Sequence, residues 1–259
     1  MKRAMTKTVL MVSRVIAFKP MRLLSTVRGI PAYYRDLIAY YRSSRRSSNF
    51  RLSLLDLYPI YGDRFYNAGV ASGHYFHQDL WAAKKVYLAK PGMHVDVGSR
   101  IDGFVAHLLT FMSVTVVDVR RLESKVPGLK FMQGDVRNLS FEDESLESIS
   151  SLHAIEHIGL GRYGDDVDSD GWMHGLGELQ RILKRGGILY LGLPIGRERV
   201  CFNAHRVFKP ATICGALPGL SLVSFYYVDD NGDLNEGNIN FEGLPDLEYG
   251  CGLFEFRKV

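Results

Sequence analysis

The sequence predicts a doubly wound, mostly parallel α/β sheet with an antiparallel hairpin at its C-terminal edge and a helical extension at the N-terminus. Three observations carry that reading. Strand-like and helix-like stretches alternate over about 100 residues after Tyr75. A glycine turn at Gly98 follows the first strand, and Asp118 ends the second strand 20 residues later. Near the C-terminus, β-rich stretches at 221–228 and 252–258 flank a loop rich in Asp, Asn and Gly, which suits a hairpin.

The elements follow in order. From 75 to 88 the apolar positions Phe76, Leu80, Ala83, Val86 and Tyr87 recur at helical spacing, and Pro91-Gly92 ends the helix. A strand at 94–97 leads through the glycine turn into a helix at 104–110. Strands at 114–118, 129–132 and 148–152 come next, then a glycine-rich loop at 159–171 and a helix at 173–184. A further strand at 188–193 is entered through Gly186-Gly187 and left through Pro194. The Asp229, Asn231, Asp233, Asn235 alternation lacks the glycine and terminal Glu of a calcium loop at the required offsets, and reads as a polar hairpin loop.

Composition narrows the function. Of the 259 residues 46% are hydrophobic and 23% charged, a globular balance, and no uncharged apolar run is long enough to span a bilayer. The net charge of +4 hides an asymmetry: residues 1–50 hold 11 Lys and Arg against the single acid Asp36, which leaves the remainder acidic. That remainder carries no nucleic-acid footprint. The 1–49 segment is read as a basic amphipathic extension and linker, and 50–259 as the main domain. The first 18 residues imitate a signal peptide, but Arg14 interrupts the apolar stretch and no small-residue cleavage site follows. Val9, Val12, Val15, Ile16, Leu23, Leu24 and Val27 can share a helix face, with Arg14, Lys19, Arg22 and Arg28 turned to phosphates. An interfacial helix at an anionic membrane surface and a helix packed on the domain are both open. Pro20 kinks or divides it, and 42–49 reads as a polar linker. Cys201, Cys214 and Cys251 form neither a C-x-x-C pair nor an even set, which fits a reducing, cytoplasmic setting and indicates no cysteine zinc site.

In such sheets a ligand lies beyond the carboxyl ends of the strands. Asp96, Gly98, Ser99 and Gly103 lie on or beside the first turn, Asp118 stands at ribose-binding spacing, and Gly134-Asp135 follows the third strand at the adenine side. With Leu183-Lys-Arg-Gly-Gly187 before the next strand, the chain resembles the class I S-adenosylmethionine-dependent methyltransferases over roughly residues 73–259. It is most similar to the "domain of unknown function 268" group, through Gly73-His-Tyr-Phe-His-Gln-Asp-Leu-Trp81, the segments 94–104 and 153–165, and Asn203-Ala-His-Arg-Val-Phe208. The resemblance implies a Rossmann-like seven-stranded sheet, with Asp96, Gly98, Ser99, Gly103, Asp118 and Asp135 at the cofactor and His77 on the helix that closes over it. Arg100 and Asp102 interrupt the family's glycine repeat. They are candidates for the methionine carboxylate and ammonium; the alternative is a pocket that no longer binds cofactor.

His153, Glu156 and His157 follow the fourth strand, and His205 lies in the loop after the fifth. Glu156-His157 with His205 resembles the metal motif of small-RNA terminal 2′-O-methyltransferases and of ubiquinone-pathway O-methyltransferases, with His153 where the family has Glu. That resemblance implies zinc, manganese or iron held by His153, Glu156, His157 and His205. Without metal, His153 or His157 is the base. Arg162, Tyr163 and Asp165 have the character of an acceptor lid. The reading is therefore methylation of a small-molecule or glycan hydroxyl at the inner face of the membrane, with a cofactor-free binding module in glycan or envelope biosynthesis as the alternative. A nicotinamide enzyme is disfavoured, because neither a full G-x-G-x-x-G nor a Tyr-x-x-x-Lys pair is present.

Overall fold

The computed structural model describes residues 20–45 and 49–259. Expectations for residues 1–19 and 46–48 lie outside that range. Contacts divide the chain into two units, Met1–Val70 and Ala71–Val259.

In the first unit, helix α1 spans Pro20–Ser44. It runs on through Pro31 and includes the first residues of the expected linker. Leu23, Leu24, Val27, Ile30, Tyr34 and Ile38 are exposed along it. The chain then folds back on the helix: the Tyr40 hydroxyl donates to the Phe50 carbonyl, Arg64 pairs with Asp36 at 2.6 Å, and Ser25 meets the Tyr66 hydroxyl. These bonds assign residues 50–70 to the extension, 21 positions beyond the boundary read from composition.

The second unit is built on one sheet of eight strands, not the seven expected. Its order is β3 (Leu129–Gln133), β2 (Val114–Asp118), β1 (His94–Val97), β4 (Leu146–Leu152), β5 (Leu183–Ile195), β10 (Gly250–Lys258), β8 (Leu220–Val228) and β9 (Leu234–Gly237). The first five run parallel, while β10 is antiparallel to both β5 and β8. The additional strand comes from the loop expected to be irregular. Asp229 accepts from the amides of Asn231 and Asp233, which turns the chain back so that β9 pairs with β8. A separate two-stranded ribbon joins β6 (Arg199–Cys201) to β7 (His205–Val207).

Helices cover both faces. Helix α2 (His74–Ala89) buries Trp81, Ala82 and Val86 against Phe104, Val105, Leu108, Val114 and Val116. Phe76, Leu80 and Tyr87, although they recur at helical spacing, are exposed. A π-helical turn (Ile101–Val105) and helix α3 (Ala106–Leu108) follow β1 on that face. On the other face α4 (Gly171–Ile182) packs Leu176, Leu179 and Ile182 on Val95, Val97, Ile149 and Leu189. It stops two residues early because β5 already begins at Leu183. A register shift on β4 and the positive φ of Gly186 accommodate the Lys184–Gly187 stretch as bulged strand. Helix α5 (Pro210–Gly215) leads into β8. No helix among the described residues is long and apolar enough to cross a membrane.

Candidate active site

At the carboxyl ends of β1 to β4 the chain leaves a cleft open to solvent. Val97, Val117, Val119, Val136, Ile155 and Ile158 form apolar walls; Gly98, Asp118, Gly134, His153 and His157 reach it as well. An open parallel sheet makes its crevice here, because neighbouring strands depart into helices on opposite faces. Gly98 has φ +75°, and a Cβ there would stand 2.8 Å from that of Ala154, so only glycine lets the β1 turn lie against the β4 turn.

Asp96, expected at the cofactor, is buried beneath this turn and does not line the cleft. Its carboxylate accepts from the Ser99 amide and from the hydroxyls of Ser99 and Ser150. Ser150 spends its only proton on Asp96, so His94 Nε2–H donates to Ser150 and Nδ1 accepts from Ser148. Ser99 Oγ accepts in turn from the Leu152 amide. The network ties β1 to β4 with every member paired. Burial pushes the Asp96 carboxyl up to about 6 and the His94 imidazole down to about 3.

Of the other expected cofactor residues, Asp118 borders the cleft, but both its oxygens are engaged by Arg120, at 3.0 and 2.7 Å. Arg120 also lies over the ring of Tyr163, 4.6 Å from its centroid. Asp135 is paired with Arg137 beside the cleft, and the hydrogen bonds of Arg137 hold its carboxyl below the usual carboxylate range. Arg100 and Asp102 pair with each other instead of facing the cleft, with the guanidinium over Tyr75. Gly103 is glycine because a Cβ would strike the Asp79 carboxylate, and His77 sits half-buried on α2 beside Phe76.

The turn after β4 carries the histidines. His153 has φ +53°, a strained conformation for a side-chain-bearing residue, and its Nδ1 lies 2.8 Å from Glu156 Oε1. Burial disfavours a charged His153, yet Cys251 and Glu156 outweigh it and hold the imidazole pKa well above its usual value. Burial likewise pushes Glu156 up, but His153 beside it prevails and keeps its carboxyl low. Neither His153 Nε2 nor Glu156 Oε2 has a hydrogen-bond partner, although both are buried. His157 donates from Nδ1 to the Ala204 carbonyl at 2.6 Å, which leaves Nε2 with its lone pair; burial lowers its pKa. Arg162 shares that carbonyl and comes within 3.4 Å of Nε2.

The expected metal set does not assemble. His205 lies against the Tyr249 ring at a tilt instead, and Arg162 brings positive charge against His157. Among the described residues the three candidate ligands that do converge are His74, His153 and Cys251. Sequence reasoning missed Cys251, since its neighbours in the chain hold no metal pattern. Arg120 was also missed, and its signal was available: an arginine two residues past a ribose acid can fold back on it.

A doubly wound sheet with an antiparallel strand between β5 and β8, and a cleft over β1 and β2 bordered by Gly98 and Asp118, is the fold of the class I S-adenosylmethionine-dependent methyltransferases. The chain belongs to the family described as "Caenorhabditis protein of unknown function, DUF268", whose pattern matches residues 106–242. No curated protein sequence matches it. Among solved structures it is similar to the 1,6-didemethyltoxoflavin-N1-methyltransferase of Burkholderia thailandensis, determined with 1,6-didemethyltoxoflavin and S-adenosylhomocysteine. The identity there is 14% and the TM-score 0.52, over 89% of each chain. A candidate sarcosine dimethylglycine methyltransferase from Galdieria sulphuraria is 13% identical with a TM-score of 0.52, over 70% of this chain and 85% of that one. The cyclase SpnF is 14% identical with the same TM-score, over 70% and 80% respectively. The likeness is one of fold, and a fold that includes a cyclase does not by itself assign chemistry.

Proposed function

We propose that the cleft binds S-adenosylmethionine and that the protein transfers its methyl group to an oxygen nucleophile, a sugar or glycan hydroxyl. One observation carries the reading: Gly98, Asp118 and Gly134, from three different strand ends, border one apolar-walled cleft. The residues fit the cofactor, which supplies an electrophilic methyl. Apolar walls suit adenine, and the Asp118 carboxylate accepts from ribose hydroxyls once Arg120 turns away.

The chain's own part is to orient and to take a proton. His157 accepts the hydroxyl proton at Nε2, because burial keeps the imidazole neutral near pH 7 and the Ala204 carbonyl fixes its tautomer. Tyr163 and Arg162 close the acceptor side. His157→Ala should lower kcat by about 10²–10⁴-fold with cofactor affinity retained. Residues 1–48 carry the basic charge that would draw the enzyme to an anionic membrane face on the cytoplasmic side. Calorimetric titration of the full chain with S-adenosylmethionine tests the reading: saturable binding that weakens in Asp118→Ala supports it, and no binding at millimolar cofactor overturns it.

A cofactor-free binding module is the second reading, and the Arg120–Asp118 pair favours it, since the ribose carboxylate is already satisfied from within the chain. Arg120→Ala discriminates. It strengthens cofactor binding if the arginine covers a working cofactor cleft, and leaves the cleft without affinity if the protein is a cofactor-free module.

A further inference from the structure

We propose that His74, His153 and Cys251 form a binding site for a divalent cation of the zinc class, a site independent of the methyl-transfer reading. Three elements far apart in sequence supply it: the first residue of α2, the turn after β4, and the second residue of β10. One ligand atom from each lies within 4.8 Å of the other two.

The hydrogen bonds around the histidines leave the right atoms free. His153 Nδ1 is committed to Glu156 Oε1 at 2.8 Å, which turns Nε2 inward, buried and without a partner. His74 Nε2 donates to the Tyr249 carbonyl at 3.1 Å and leaves Nδ1 available. A carboxylate or carbonyl on the far nitrogen is how metal-binding imidazoles are oriented and made more basic. Cys251 is fully buried; its sulfur lies 3.8 Å from the Gly252 carbonyl and 4.0 Å from Gln78 Oε1, and its thiol also acts on the His153 imidazole. A buried imidazole nitrogen with no donor or acceptor is costly, and an ion at this point would relieve it.

The donor chemistry selects the ion. Two imidazoles and one sulfur suit zinc over magnesium or calcium, and three protein ligands leave a fourth position for water. Tetrahedral zinc, with bonds of about 2.0–2.3 Å, needs its ligand atoms about 3.3–3.6 Å apart, a contraction of roughly 1 Å. His74 is only half-buried at the start of α2 and can supply that movement. His153 also lines the cleft, so an ion held here would stand at the cleft wall.

The test uses the full chain, without a histidine tag, stripped by chelator and titrated with cobalt(II). The expected result is one equivalent bound, with a near-ultraviolet thiolate-to-cobalt charge-transfer band that zinc displaces. Cys251→Ser should abolish the band, whereas Cys201→Ser and Cys214→Ser should retain it. Glu156→Gln should weaken cobalt binding by about 10–100-fold, since it removes the carboxylate that orients His153. His74→Ala should do so at least as strongly, and because His74 is half-buried, this variant is expected to fold; a thermal melt checks it. No band in the parent chain, or a band surviving in Cys251→Ser, overturns the proposal. Titrating S-adenosylmethionine into the same metal-free protein reports on the cleft alone, so each reading can fail without the other.

Discussion

The turns after β1 and β4 lie side by side in one sheet, each holding a buried carboxylate against a histidine-containing network, and they differ in one respect. Beneath the β1 turn, Asp96 accepts three hydrogen bonds and every hydroxyl and imidazole in its chain has a partner. After β4, Glu156 and His153 satisfy each other on one side and leave Oε2 and Nε2 with nothing. A closed network holds strands together; an open one stores binding capacity, because its unpaired atoms gain most when a ligand arrives. The difference moves Asp96 from the cofactor to the scaffold and turns attention to His153.

The largest effect should separate the two turns directly. Asp96→Ala leaves Ser99 and Ser150 as buried unsatisfied donors and should lower unfolding free energy by about 3–5 kcal/mol, whereas Glu156→Gln should cost about 1 kcal/mol or less in metal-free protein. Denaturant titrations check both. Equal losses would mean that the β4 turn is scaffold as well.

Acidification sharpens the same contrast. His94 has a folded pKa of about 3, below its unfolded value, so the unfolded chain takes up the proton first and stability falls as pH drops below about 6.5. That contribution amounts to roughly 3 kcal/mol between pH 7 and pH 4. Asp96 acts with the opposite sign over a narrower span: its folded pKa of about 6 exceeds the unfolded value, so its protonation favours the folded state as pH falls from about 6 toward 3.8. His94→Gln should flatten the acid limb of a denaturant-midpoint profile. An unchanged limb would place the acid sensitivity elsewhere.

Pressing the two turns apart is the next test. Gly98→Ala puts a Cβ 2.8 Å from that of Ala154 at a positive φ, for an expected cost of about 2 kcal/mol and weaker cofactor binding. Adding Ala154→Gly should recover the steric part but not the backbone part. No recovery would mean that the contact between the turns is unimportant.

Smallest in free energy is the ribose contact. Asp118→Ala should weaken S-adenosylmethionine at least about tenfold in a calorimetric titration, by removing charge-assisted hydrogen bonds. Unchanged affinity would remove Asp118 from the site.

Much of the sheet was legible because local patterns encode it. The β-branched run Val114–Val117, and glycines at 98 and 134, mark strands and turns wherever the chain ends up. The limits appear where burial is decided from outside. Phe76, Leu80 and Tyr87 have helical periodicity yet lie exposed, since the face of α2 that is covered depends on where Phe104 and Val114 arrive. The strand Leu234–Gly237 was hidden in a polar loop, because its pairing comes from β8 and not from its own residues.

The sequence by itself determined that a glycine turn and an acid would meet at one sheet edge, since both are fixed at strand ends a set number of residues apart. It also determined that His157 would border that edge. Which carboxylate would be closed off and which histidine left open, only the tertiary structure decided. Cys251 faces the site because β10 enters between β5 and β8, opposite Pro194 and Val228. Its meeting with His74 and His153 is a product of long-range strand register, and register is set by the packing of whole faces, not by any motif that could be read along the chain.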